Sequence, residues 1–173
     1  TKYFLMAERC NDPTTQATNI TFSNVTNSQM DIGWTNGDGT GRLVVVKAGS
    51  AITASPVDGN FSYTANTIYA SGSALGGGYV VYIGSGSTVT VTNLNTSSTT
   101  YYCQVFEYNC GGAAQINYNT NTATNNPLSR APGTWSFGAT ATLVRSGPST
   151  TSSNNWQSNY AGGISTIPAT AFW

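Results

Sequence analysis

Short apolar runs, each closed by turn-forming residues, recur along the first two-thirds of the chain. Ile20, Phe22 and Val25 mark a first strand, and Met30, Ile32 and Trp34 alternate in a second. Asn36 to Gly41, NGDGTG, supplies a turn of the hairpin kind, because Asn-Gly and Asp-Gly tolerate the backbone such turns need. Arg42 to Lys47, RLVVVK, is a β-branched third strand. Residues 48–78 are loop-rich, with Pro56, Asp58-Gly59 and the run Gly76 to Gly78. Tyr79 to Ile83 is a further apolar strand, and Gly84 to Gly86 turns it. Val89, Val91 and Leu94 follow.

Leu94 to Asn109, LNTSSTTYYCQVFEYN, is a turn feeding a strand. Period two places Tyr101, Cys103 and Val105 on one face and Tyr102, Gln104 and Phe106 on the other. Leu94 and Tyr101 bracket a Thr/Ser-rich corner, the arrangement that pins the sixth strand of a Greek-key sandwich. Cys110 to Gly112 turns, and Ala113 to Tyr118 returns as a final strand. Many short strands, regular turns and no helical period predict an all-β fold. Its expected core holds Trp34, Leu94, Tyr101, Cys103 and Val105.

Both flanks depart from this pattern. Residues 1–12 form an N-terminal strand-like arm in which Tyr3, Phe4, Leu5 and Met6 are apolar in a row. On a strand they would present apolar side chains on both faces, which calls for cover on both sides. Two readings stand: a strand of this or a preceding domain's own sheet, or an assembly arm donated to a neighbouring subunit by strand addition. Residues 129–173 form an aromatic, Ser/Thr/Asn-rich extension in which Ala139, Ala141 and Leu143 alternate with polar residues, as in a strand. Trp135, Trp156, Phe172 and Trp173 are interface or ligand aromatics, since such side chains anchor protein contacts and stack on sugar rings.

Composition narrows the partners. Only 7% of the 173 residues are charged, and six basic side chains cancel six acidic ones. A neutral surface releases no counterions from a phosphate backbone, so no nucleic acid is expected. No run approaches the roughly 18 apolar residues of a spanning helix, so the chain is not membrane-spanning. Near-zero net charge favours association, and copies of the chain itself, or polar surface glycans, are the expected partners.

Residues 13–128 resemble a fibronectin type III domain, of the kind repeated in secreted surface proteins of Bacteroidetes-type bacteria. The stretches that carry the resemblance are residues 13–50, SPVDGNFSYTAN, GSALGGGYVVYIGSGSTVTVTNL and TTYYCQVFEYN, followed by NYNTNTATNNP. It implies an Ig-like Greek-key sandwich of about seven strands and an extracellular, secreted or cell-surface location. In that fold the start of the first strand and the loop after the sixth lie at one end, so Cys10 and Cys110 are a disulfide candidate. Two free thiols remain the alternative, and Cys103–Cys110 is harder to close. Cys103 falls on the Tyr101 face and is expected to be a buried thiol.

Little else invites chemistry. There is no histidine, which removes Ser-His-Asp and Cys-His catalysis. Nothing in the sequence pairs its six carboxylates as a glycosidase requires. In Asn36-Gly37-Asp38-Gly39 only Asp38 is acidic, too few ligands for a calcium loop. Neither an enzyme nor a cofactor is expected. The sequons at Asn19, Asn24, Asn60 and Asn95 are what an Asn/Thr-rich chain produces by chance. The expected function is the repeating subunit of a self-assembling fibre or surface layer, joined through its terminal arms. The alternative is an adhesive module, for glycan or protein, of a larger surface protein.

Overall fold

The computed structural model of the protein describes residues 10–111 and 115–132. The strands are β1 (Thr18–Ser23), β2 (Met30–Thr35), β3 (Gly41–Ala48), β4 (Ala74–Leu75), β5 (Gly78–Gly84), β6 (Thr88–Val91), β7 (Tyr101–Asn109), β8 (Asn117–Tyr118) and β9 (Leu128–Arg130). Among the described residues no helix is long and apolar enough to cross a membrane. One sheet has the order β1-β2-β6; the other runs β4-β5-β3-β7-β8, with β9 also on β7. Every pairing between these strands is antiparallel. Strands one, two and six against three, five, seven and the last is the arrangement of an Ig-like, fibronectin type III-type sandwich.

The core between the sheets follows from period two. Met30, Ile32, Trp34, Val44, Val46, Val89 and Val91 turn inward against Tyr101, Cys103 and Val105. Leu94 joins them from the corner. The Tyr101 hydroxyl accepts the Asn95 amide at 2.8 Å, so the corner is tied to the strand it feeds. The Thr96 hydroxyl donates to the Thr26 carbonyl and pins that corner to the β1–β2 turn.

The outer face of the larger sheet is also covered. On β3, Leu43 and Val45 alternate with Val44 and Val46, and all four are fully buried. A strand apolar on both faces needs cover on both. Leu43, Val45, Val80, Phe106 and Tyr108 therefore build a second cluster with Leu75, Ile116 and Tyr118, and Ile52 and Tyr63 pack against it. The cover comes from the long β3–β4 connection and the chain around β8.

Three sequence expectations are corrected. β1 ends at Ser23, because Asn24 takes a positive φ of 47°; Val25 packs on the core from outside the strand. Asn36 to Gly41 is no hairpin: β2 and β3 lie in different sheets, so the segment crosses between layers. The return after Cys110 is split. Only Asn117–Tyr118 and Leu128–Arg130 pair with β7, one at each end. The sandwich thus runs past residue 128 into β9.

Candidate functional site

At its C-terminal end, β7 gathers three separate parts of the chain. Cys10 and Cys110 are bridged there, with Cα atoms 6.1 Å apart across 100 residues of sequence. Backbone anchors reinforce the bridge. Asn117 Nδ2 donates to the Cys10 carbonyl at 2.6 Å, Asn109 Nδ2 to Asn11 at 2.9 Å and Asn119 Nδ2 to Pro13 at 3.1 Å. Asp38 then holds Thr14 and Thr15 through their amides and the Thr14 hydroxyl. Those bonds, the Thr14 hydroxyl first, keep the Asp38 carboxyl below the usual carboxylate range. The segment entering β1 is thus fixed along its length.

A buried ion pair lies at the same end. Arg42 and Glu107 face each other in the β3–β7 register, and Arg42 Nε donates to Glu107 Oε1 at 2.8 Å. Glu107 is fully buried and also accepts the amides of Gly37 at 2.7 Å and Gly39 at 3.1 Å. Arg42 in turn donates to the carbonyls of Ser85 and Gly39. A Cβ at Gly39 would stand 2.6 Å from Glu107 Oε2, so only glycine lets the carboxylate come this close. A buried charge needs such complete pairing, because desolvation costs several kcal/mol per ion.

Between β8 and β9 no strand among the described residues covers β7, and two buried amide side chains and one backbone amide take its place. Asn126 Oδ1 accepts the Val105 amide at 3.1 Å, and Asn126 Nδ2 donates to the carbonyls of Val105 and Ala17. Gln16 Oε1 accepts the Glu107 amide at 2.9 Å, and Gln16 Nε2 donates to the carbonyls of Asn119 and Asn121. The backbone N–H of Asn119 donates to the Glu107 carbonyl at 2.8 Å. Buried backbone groups must find partners, and here side chains replace a missing ladder.

Beside this clasp lies a cleft of about 260 Å³. Its floor includes Pro13, Pro56, Tyr118 and Asn119, and its rim includes Asp12, Asp58, Thr120 and Asn121. The loop bearing Asp58 is held down by β8. Asp58 Oδ1 accepts the Tyr118 amide at 2.8 Å, the Gly59 amide donates to Ile116 at 2.8 Å, and the Tyr118 hydroxyl donates to Asn60 at 3.0 Å. Burial, with the neighbouring tyrosines, pushes the Tyr118 hydroxyl well above its ordinary pKa, so it stays a neutral donor. Val57 is 63% exposed and Phe61 53%, the largest values among the exposed large apolar residues described.

The residues singled out from sequence fall in different places. Trp34, Leu94, Tyr101, Cys103 and Val105 lie in the inter-sheet core. Burial pushes the Cys103 thiol well above its ordinary pKa, which leaves it unreactive. Cys10 and Cys110 lie beside the cleft. Asp38 is spent on Thr14 and Thr15, and among the described residues no three potential ligands cluster as for a metal. Tyr3, Phe4, Leu5 and Met6, and Trp135, Trp156, Phe172 and Trp173, lie outside the described residues. Sequence reasoning missed Arg42, Glu107, Gln16, Asn119 and Asn126. A single signal was available: Glu107 interrupts the apolar parity of Cys103 and Val105, and Arg42 does the same beside Val44 and Val46.

No protein-family model matches the chain, and no curated protein matches it. Two solved domains are similar in structure. One is an FN3 domain of human collagen XX, 21% identical, covering 66% of this chain and 99% of that one, with a TM-score of 0.35. The other is the FN5 domain of Drosophila Lar, 13% identical, covering 72% of this chain and 99% of that one, with a TM-score of 0.38. The strand order itself carries the assignment: the described residues form a fibronectin type III-like, all-β sandwich.

Proposed function

We propose that the protein is a non-catalytic extracellular module and the repeating subunit of a fibre or surface layer. The observation that carries this reading is where the two flanks are rooted. Residues 1–9 attach at Cys10, bridged to Cys110 just past the C-terminal end of β7. Residues 133–173 follow β9, whose Arg130 pairs with Tyr101 at the other end of β7. Eight residue steps of about 3.3 Å put those two ends of the strand roughly 26 Å apart. A subunit with joining segments rooted at opposite ends makes head-to-tail contacts, which extend along a line when the rotation does not close.

Several features support the reading. The disulfide and its flanking hydrogen bonds make one root stiff enough to carry load. Disulfides persist in oxidising compartments, which agrees with an extracellular place. Low charge and zero net charge leave little repulsion between copies. The three described aspartates other than Asp12, and the one described glutamate, are spent on holding the fold: Asp31 on Thr90 and Asn24, Asp38 on Thr14 and Thr15, Asp58 on Tyr118 and Glu107 on Arg42. For strand addition, the outer edge of β6 carries no further strand in its sheet among the described residues. The apolar run Tyr3 to Met6 is the strand it would receive.

Removal of residues 1–9 tests the proposal. The truncated chain, which keeps Cys10, is expected to stay folded and monomeric while the full chain forms filaments or sheets under the electron microscope. Normal assembly of the truncated chain would overturn it.

A further inference from the structure

The smaller sheet ends on β6, and its ladder shows which backbone groups are left over. β6 pairs with β2 in one antiparallel register, from Met30 opposite Val91 to Gly33 opposite Thr88. The Trp34 amide donates to the Ser87 carbonyl at 3.0 Å, which makes that pair a hydrogen-bonded one. Hydrogen-bonded pairs alternate along an antiparallel ladder. Val89 and Val91 therefore spend their backbone groups on β2, while Thr88 and Thr90 turn theirs away from it. Thr92 shows the same alternation from the far side. Its amide donates to the Thr67 carbonyl and its carbonyl accepts the Tyr69 amide, both at 2.9 Å. Thr88 and Thr90 each leave one N–H and one C=O on an open edge, and among the described residues none of these groups has a partner. Such an edge is a template for a further strand. Other edges are covered by the chain itself: the Asn19 and Ile20 amides of β1 donate to the Thr124 and Asn125 carbonyls, and Asp58 takes the Tyr118 amide of β8.

The opening has definite limits. Thr67 to Tyr69 stops it at Thr92, so it offers the four residues Thr88–Val91. The apolar run Tyr3 to Met6 is also four residues long. Direction follows from the same stop. A parallel strand would drive residues 7–10 of the arm into Thr67–Tyr69, whereas an antiparallel one leads them out past Ser87, where no described segment pairs with β6. Antiparallel pairing sets Tyr3 opposite Val91, Phe4 opposite Thr90, Leu5 opposite Val89 and Met6 opposite Thr88. Directly opposed residues share a face of the sheet. Val89 and Val91 lie in the inter-sheet core, and Thr88 and Thr90 are exposed. Tyr3 and Leu5 thus fall on the core side, and Phe4 and Met6 on the outer side.

We propose that the backbone groups of Thr88 and Thr90 are the acceptor slot for residues 3–6 of a second copy, which enters antiparallel with Tyr3 and Leu5 inward. The inference rests on the assembly reading and adds to it the receiving groups, the direction and the buried pair.

Two full-length variants test it. Thr90→Pro removes an outward N–H of the slot and leaves the β2 ladder whole, because Pro is tolerated on an edge strand where its nitrogen faces away from the sheet. It also gives up the bond from the Thr90 hydroxyl to Asp31, so a melting curve first checks that it is folded. Its arm is intact. Leu5→Ser keeps the slot and spoils the arm. Each alone is expected to stay monomeric in the ultracentrifuge at concentrations where the unaltered chain forms filaments. Mixed in equal amounts they should stop at a dimer, with the arm of Thr90→Pro in the slot of Leu5→Ser. Met6→Ser, on the outer side, should raise the concentration needed for assembly about threefold or less, against about tenfold or more for Leu5→Ser. Should Thr90→Pro fail to fold, the contrast between Leu5→Ser and Met6→Ser still decides the register. Normal assembly of folded Thr90→Pro would put the joint on another edge and overturn the slot. A mixture that stays monomeric would also overturn it, since the arm would then fill its own β6, and so would a Met6→Ser chain as deficient as Leu5→Ser. If the unaltered chain forms no assembly, the assembly reading itself falls and the slot falls with it.

Discussion

The two ends of β7 are held by different physics. At the Tyr101 end the strand is gripped by apolar side chains, a corner amide and a regular pairing with β9. At the Glu107 end it is gripped by a buried ion pair, two amide side chains and a disulfide. Apolar packing tolerates changes that keep volume and pattern. A buried polar network does not, because each lost partner leaves a desolvated group unpaired. The Glu107 end therefore permits fewer substitutions, and it is the end that carries the cleft and the root of the N-terminal segment.

The largest effect is expected from Glu107→Ala. It strands Arg42 in the interior and orphans the Gly37 and Gly39 amides, so urea unfolding should show a loss of about 3–5 kcal/mol. A loss below 1 kcal/mol would mean that water replaces the carboxylate and that the two ends are alike.

Removal of the bridge comes next. Cys10→Ser with Cys110→Ser opens a closure spanning 100 residues of sequence, for which about 2–4 kcal/mol is typical. Comparing the double variant with the parent chain, each with and without reductant, separates the bridge from the serine substitutions. The full effect should vanish in reductant.

A smaller loss is expected at the other end. Tyr101→Phe removes only the hydroxyl that accepts the Asn95 amide, and the ring stays packed in the core. About 1 kcal/mol is expected from thermal or urea unfolding. A cost as large as that of Glu107→Ala would erase the contrast.

The smallest effect is in acid. The folded Asp38 carboxyl titrates below its unfolded value, chiefly because of the Thr14 hydroxyl and the Thr15 amide. Its contribution is thus present above the unfolded carboxylate pKa of about 3.9 and is lost as pH falls through the folded value. Asp38→Asn should flatten the acid limb of stability against pH below about pH 4 and leave its slope near neutrality unchanged. Asp31, lowered by Thr90 and Asn24, remains as an internal reference in the smaller sheet.

Legibility in the sequence divides along the same line. Alternation at Met30, Ile32 and Trp34 and at Tyr101, Cys103 and Val105 is a local signal, so strands, faces and the inter-sheet core could be read directly. Turn chemistry was less decisive. NGDGTG has the residues of a hairpin, yet it crosses between sheets, because residue type specifies the bend and not which strand follows beside which. The final strand was misplaced because Asn117–Tyr118 and Leu128–Arg130 share β7 across a gap closed by side chains. Of the cleft, only single turn residues such as Asp58 stood out; Asp12, Asp58 and Tyr118 come from three separate segments.

The sequence alone determined the all-β class, the positions of most strands and the side chains that turn inward, because period two is written between neighbours. Only the tertiary structure decided the rest. Glu107 meets Arg42 across 65 residues, Gln16 meets the Glu107 amide across 91, and Asn126 meets the Ala17 carbonyl across 109. The β3–β4 connection, read as a loop, became the cover of a second apolar face. The physical reason is that apolar burial needs only a pattern, whereas a buried polar group needs one particular partner, and that partner is chosen by the folded chain.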